Sequence, residues 1–164
     1  MLFNHKDEIT RQLKNIATQD NGGVKIEDAD KFRGDVLDQL VQNAVLNPSA
    51  EIKGLSRFIL KSAALELGIV NSSIQGLYEA RGRGEVKGFT VPALNIRGMP
   101  YELCRAIFRT AIKSNAGAFI FELAKSEMSY TFQKPHELST VILAAAIKEW
   151  FPGPVFIQGD HFQV

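Results

Sequence analysis

The chain is poor in several things at once. Among its 164 residues Cys104 is the only cysteine. No intrachain disulfide can form, and a reducing compartment, the cytoplasm, is expected. Charge of one sign is not in excess: the formal net charge is +1, so the overall balance points to neither nucleic acid nor an anionic membrane. Long apolar runs are missing too. The stretch at residues 141–147 stops at Lys148, well short of the ~18 residues a membrane-spanning helix requires. The N-terminus carries Asp7 and Glu8 where a signal peptide would place its apolar core. Histidine is scarce, with three in all. These absences exclude a disulfide scaffold, a membrane span and a disordered tail.

What is present is an ordinary globular composition that changes character near residue 75. Residues 1–75 read as a helical, charge-rich segment. From residue 27 to 46 apolar side chains recur at Phe32, Val36, Leu37, Leu40, Val41 and Val45, the stripe of an amphipathic helix. Asn47-Pro48-Ser49 ends it. A second helix is expected from Ala50 to a stop at Gly68. Asn21-Gly22-Gly23 separates these from an earlier short helix around residues 7–17. Ser72-Ser73 can cap a further helix ending near Ala80. Arg81-Gly82-Arg83-Gly84 reads as a basic turn, either an anion site or a solvated loop. It lacks the lysine and spacing of a phosphate loop.

Residues 76–164 alternate strand and helix. Strands are expected at residues 88–95, 118–122 and 155–160. Helices are expected after Pro100, with Leu103, Ile107, Phe108, Ala111 and Ile112 inward, and after Pro135, with Leu138, Val141, Ile142, Ala145 and Ala146 inward. Such alternation makes a parallel sheet with right-handed crossovers. Its near-continuous apolar strands predict burial on both faces.

Each strand closes on a polar residue: Asn95, Glu122 and Asp160. Parallel α/β sheets present ligand-binding side chains at these carboxyl ends, so the set is a candidate substrate site. His161 follows Asp160 and brings an imidazole able to ligate a metal. Lys125, Ser126 and Glu127 lie in the loop after the second strand, where such folds often carry function.

Three segments together, Gly88-Phe-Thr-Val-Pro-Ala-Leu-Asn95, Ala118-Phe-Ile-Phe-Glu122 and Pro154-Val-Phe-Ile-Gln-Gly-Asp-His161, resemble the class II, metal-dependent fructose-bisphosphate aldolases. The resemblance covers about half the chain. It implies the first three βα units of a TIM-type (β/α)8 barrel in residues 76–164, preceded by the helical segment and continuing past Val164. It implies zinc-dependent aldol cleavage of a phosphorylated ketose, with Asp160 transferring a proton, His161 ligating Zn2+ or another divalent metal, and Asn95 contacting substrate. Ser126 is the candidate for the family's serine after the second strand, and Gln158 stands where many members have histidine. The expected partner is a phosphorylated sugar, with neither nucleic acid nor membrane, and self-association is left open. The other reading is a noncatalytic barrel subunit that supports a partner aldolase.

Overall fold

The computed structural model describes residues 1–20 and 22–162; Asn21, read above as part of a break, and Val164 lie outside them. The first helix, α1 (Lys6–Leu13), leads into β1 (Ala17–Asp20) and β2 (Gly23–Ile26), an antiparallel pair with Ala17 opposite Ile26. This hairpin replaces the simple break expected there.

A short turn, α2 (Ala29–Lys31), begins with the Asp28 carboxylate accepting the Lys31 N–H at 3.0 Å. A π-helical segment (Phe32–Val36) follows, broken by Gly34 at ψ −139, and then α3 (Leu37–Leu46). The single helix expected over residues 27–46 is therefore kinked. Lys148 holds the kink, donating to the Arg33 and Gly34 carbonyls at 2.6 and 3.1 Å and to Asp38 at 2.8 Å. Next comes α4 (Ala50–Glu66), with Ser49 Oγ accepting the Ile52 N–H at its start. Gly68 follows at φ +75, the left-handed conformation that suits glycine at a helix end.

The second half builds a four-stranded parallel sheet from β3 (Asn71–Ser72), β4 (Ala93–Asn95), β5 (Ile120–Ala124) and β6 (Val155–Asp160), in spatial order β3-β6-β5-β4. The parallel α/β architecture is thus present. The short strand β3 was not foreseen; two residues carry no periodicity. The first expected strand shrinks to its last three residues because Pro92 has no N–H to donate; its carbonyl still accepts the Ile120 N–H at 2.9 Å. Around the sheet lie α5 (Gln75–Gly82), α6 (Pro100–Ser114), α7 (Glu127–Thr131) and α8 (Pro135–Lys148). Helix α5 runs through Arg81 and Gly82, so this part of the basic stretch is helical. Its arginines are taken: Arg81 donates to the Phe89 carbonyl and Arg83 pairs with Glu85. Residues 81–84 are exposed.

The strand progression β4, β5, β6 never reverses, and α6 and α8 pack against each other. The sheet face carrying Phe119, Phe121, Leu123 and Val155 is buried in the core shared with these helices. The opposite face begins with buried Ile120, but Asn95, Glu122, Ala124, Gln158 and Asp160 on it are only half-buried. Burial on both faces, expected from the apolar strands, is corrected to one sealed face and one polar face.

Helix α8 is buried nearly all round, from Val141 to Ile147. It touches β6 and α6 on one side and the N-terminal helices α3 and α4 on the other. Helices apolar on every side belong in such interiors, and its alanines allow close approach. Arg57 on α4 reaches Glu137 on α8 at 2.7 Å. One hydrophobic core consequently joins Phe3 and Leu37 to Phe121 and Val155. On α6 the expected stripe is rotated. Cys104, Phe108 and Ala111 are buried, whereas Leu103 and Ile112 are 43% and 46% exposed.

Burial pushes the Cys104 thiol up to about 12. A thiol that stays protonated is a poor nucleophile. Native protein should therefore leave Cys104 unmodified by a thiol reagent at neutral pH, with reaction appearing only as urea unfolds the chain. Rapid labelling without denaturant would contradict this packing.

Candidate functional site

Strand register brings the polar residues together. Asn95 lies opposite Glu122, and Glu122 opposite Gln158, in one row across three strands. Asp160, two residues beyond Gln158, is opposite Ala124. Since side chains alternate along a strand, all of these share one face.

Hydrogen bonds tie these residues into two sets, one around Asn95 and one pairing Gln158 with Glu122. Asn95 Nδ2 donates to Asp160 Oδ2 at 3.0 Å and to Glu127 Oε2 at 3.2 Å. Gln158 Nε2 donates to Glu122 Oε1. Glu127 also accepts the Ala124 N–H at 2.9 Å and the Arg97 Nε–H. The three strand-end residues picked from the sequence therefore gather at one sheet edge. The N-terminal helices stay away from it: Arg33 lies over the Trp150 ring, and Lys61 feels the charge of Arg57.

Two further residues complete this network: Glu127, which the sequence reading placed only in a candidate functional loop, and Arg97. Glu127 looked like a loop carboxylate, but its side chain is only 3% exposed. Arg97 had drawn no notice. A hint was available for Glu127, since an acid in the first turn of a helix after a strand sits near backbone donors. Its contact with Asn95 spans 32 residues, and no local pattern reports that.

Ser126 and His161 are placed differently. Ser126 is exposed at the start of α7, and only its carbonyl takes part, accepting from Ser129. Its hydroxyl does not join the network. His161 turns out of the strand at φ +50 with its side chain 89% exposed, and Nε2 lies 3.4 Å from Asp160 Oδ1. The turn lets both neighbours reach the same edge, which a continuing strand would prevent.

A divalent metal, expected from the resemblance, finds one imidazole here. Among the described residues no group of three histidine, cysteine, aspartate or glutamate side chains gathers to hold an ion. Catalytic zinc commonly takes about three protein ligands. Among the described residues His161 is the one imidazole at this edge, and it would hold a metal as a single ligand.

The electrostatics of Glu127 can be signed. Burial raises its pKa, but the Ala124 N–H, Arg97 and Asn95 outweigh burial and hold it below the ordinary 4.5. A depressed folded pKa contributes stability that is fully present above about pH 4.5. That contribution is lost as pH falls through the lower folded value. Glu127→Gln should accordingly cost about 1–3 kcal/mol at neutral pH, and the gap to wild type should close in acid. Urea midpoints across the pH range check this. A gap that stays constant into strong acid would mean that the carboxylate charge is not what stabilises.

No family model matches the chain, and no curated protein or solved structure matches it. Its class is accordingly defined by the fold and this edge: an α/β chain with a parallel sheet and a polar network at the strand carboxyl ends. No helix among the described residues is long and apolar enough to cross a membrane.

Proposed function

We propose that the chain supplies the opening βα units of a TIM-type barrel that cleaves or condenses a phosphorylated ketose, in the manner of a class II aldolase. The observation that carries this reading is the Asn95–Asp160–Glu127 network on the polar face of the parallel sheet. Barrels carry their catalytic side chains at the carboxyl ends of successive strands. Strands β4, β5 and β6 advance in one direction with helices on one face, as a barrel segment needs, while β3, earlier in the chain, takes the outer edge of β6.

In this reading Asp160 takes the proton from the substrate hydroxyl as the carbon–carbon bond breaks and returns it in the reverse reaction. Asn95 and Glu122 contact the sugar. Arg97, with its Nη pair unpartnered among the described residues and its side chain 61% exposed, faces the phosphate. Ser126 reaches substrate only if its exposed hydroxyl turns inward. His161 is one metal ligand, and a metal bound there would polarise a carbonyl oxygen.

The test uses the protein expressed from its full reading frame. His161→Ala should lower bound metal severalfold and cleavage of fructose 1,6-bisphosphate with it. Normal metal content together with normal turnover in that variant would remove the aldolase reading. The 164-residue chain alone should bind zinc weakly and leave the sugar intact.

A further inference from the structure

We propose that Glu127 is a positioning residue of the polar face, aiming the Asn95 carbonyl and the Arg97 guanidinium at a sugar phosphate. This rests on the substrate reading above and adds to it a residue that the strand-end pattern left out.

The Glu127 carboxylate receives three donors on two oxygens: Ala124 N–H and Asn95 Nδ2 on Oε2, Arg97 Nε–H on Oε1. Asn95 Nδ2 donates a second time, to Asp160 Oδ2 at 3.0 Å. Both hydrogens of the amide are therefore committed to carboxylates. Turning the amide over would set its carbonyl against two carboxylate oxygens, so the hydrogen-bond network fixes its orientation. Asn95 is left with Oδ1 to offer, an acceptor for a sugar hydroxyl.

Arg97 is constrained in a similar way. Its Nε is anchored on Glu127, and its remaining nitrogens have no partner among the described residues. Held by one edge, a guanidinium keeps its fork available for the paired oxygens of a phosphate. Glu127 itself is 3% exposed and cannot reach a ligand on that face, so its part is positioning and not catalysis. Glutamine cannot stand in. It has one acceptor oxygen for three donors, and its own amide would face a donor.

The experiment follows side-chain signals in the 164-residue chain, labelled with nitrogen-15. In wild type the Asn95 amide pair and the Arg97 Nε–H should exchange slowly with solvent. Glu127→Gln should speed exchange at Arg97 by about tenfold or more, the loss of one charge-assisted hydrogen bond. Glu127→Ala should do the same at Asn95. Backbone spectra show that each variant is folded, and the near-isosteric glutamine variant covers failure of the alanine one. Unchanged exchange at both side chains in a folded variant overturns the proposal.

Fructose 1,6-bisphosphate is then titrated in as the probe. Wild type should shift both side-chain signals, and Glu127→Gln should bind about tenfold more weakly. Equal affinity in the two overturns the positioning role and leaves the substrate reading standing. No shift in wild type overturns the substrate reading, while the exchange rates still decide whether Glu127 holds Asn95 and Arg97.

Discussion

On the proposed aldolase reading, Asp160→Ala is expected to lose about 10²–10⁴ of the turnover while metal content holds. General acid–base catalysis contributes a factor of that size. Asp160 suits the task by position. It stands at the carboxyl end of β6, Oδ2 is occupied by Asn95 Nδ2, and Oδ1 faces the turn at His161. Its side chain is 25% exposed, open enough for a substrate hydroxyl to approach. Removing it leaves the imidazole of His161 in place, so metal content should hold as turnover falls. The pairing of outcomes is the point: His161→Ala loses metal and activity together, Asp160→Ala activity alone. Cleavage assays with metal analysis on both variants check it. Turnover within a few-fold of wild type in Asp160→Ala would defeat the assignment of proton transfer.

Phe108→Ala is expected to destabilise the fold by about 3–5 kcal/mol, the usual cost of deleting a fully buried aromatic. Phe108 is 0% exposed on α6. Its ring centroid lies 5.2 Å from Phe121 on β5, 5.9 Å from Phe119 and 4.8 Å from Phe151 beyond α8. One side chain thus ties α6 to the sealed sheet face and to the segment entering β6. Whole domains are stable by only roughly 5–15 kcal/mol, so the urea midpoint should fall by about a fifth or more. Phe108→Leu should cost less because it leaves a smaller cavity. A loss below about 1 kcal/mol for the alanine variant would show that the aromatic cluster does not pack as described.

The site was partly legible because strand ends are a local feature. Asn95, Glu122 and Asp160 each close an apolar run, and alternation along a strand assigns each to a face without reference to its neighbours. Register then did the rest, aligning Asn95, Glu122 and Gln158 in one row. Glu127 and Arg97 escaped because their roles lie in contacts across 32 and 30 residues. Ser126 stood out because the resemblance implies a serine after the second strand, and the start of α7 turns Glu127 inward instead.

The same division holds for the fold. Sequence alone determined the elements whose signals are periodic or covalent: α4 between its Ser49 cap and Gly68, α8 after Pro135, β6 before the turn at His161, and the impossibility of a disulfide. These follow from side-chain spacing and backbone sterics within a few residues. Tertiary structure decided what depends on partners. It kinked the helix at Gly34, where Lys148 Nζ donates hydrogen bonds to the freed carbonyls of Arg33 and Gly34. It rotated the buried stripe of α6 onto Cys104 and placed β3 beside β6. It also buried α8 all round by setting α3 and α4 against its far side. An apolar run records that a surface will be covered; which surface covers it is settled only when distant segments compete to bury the same area.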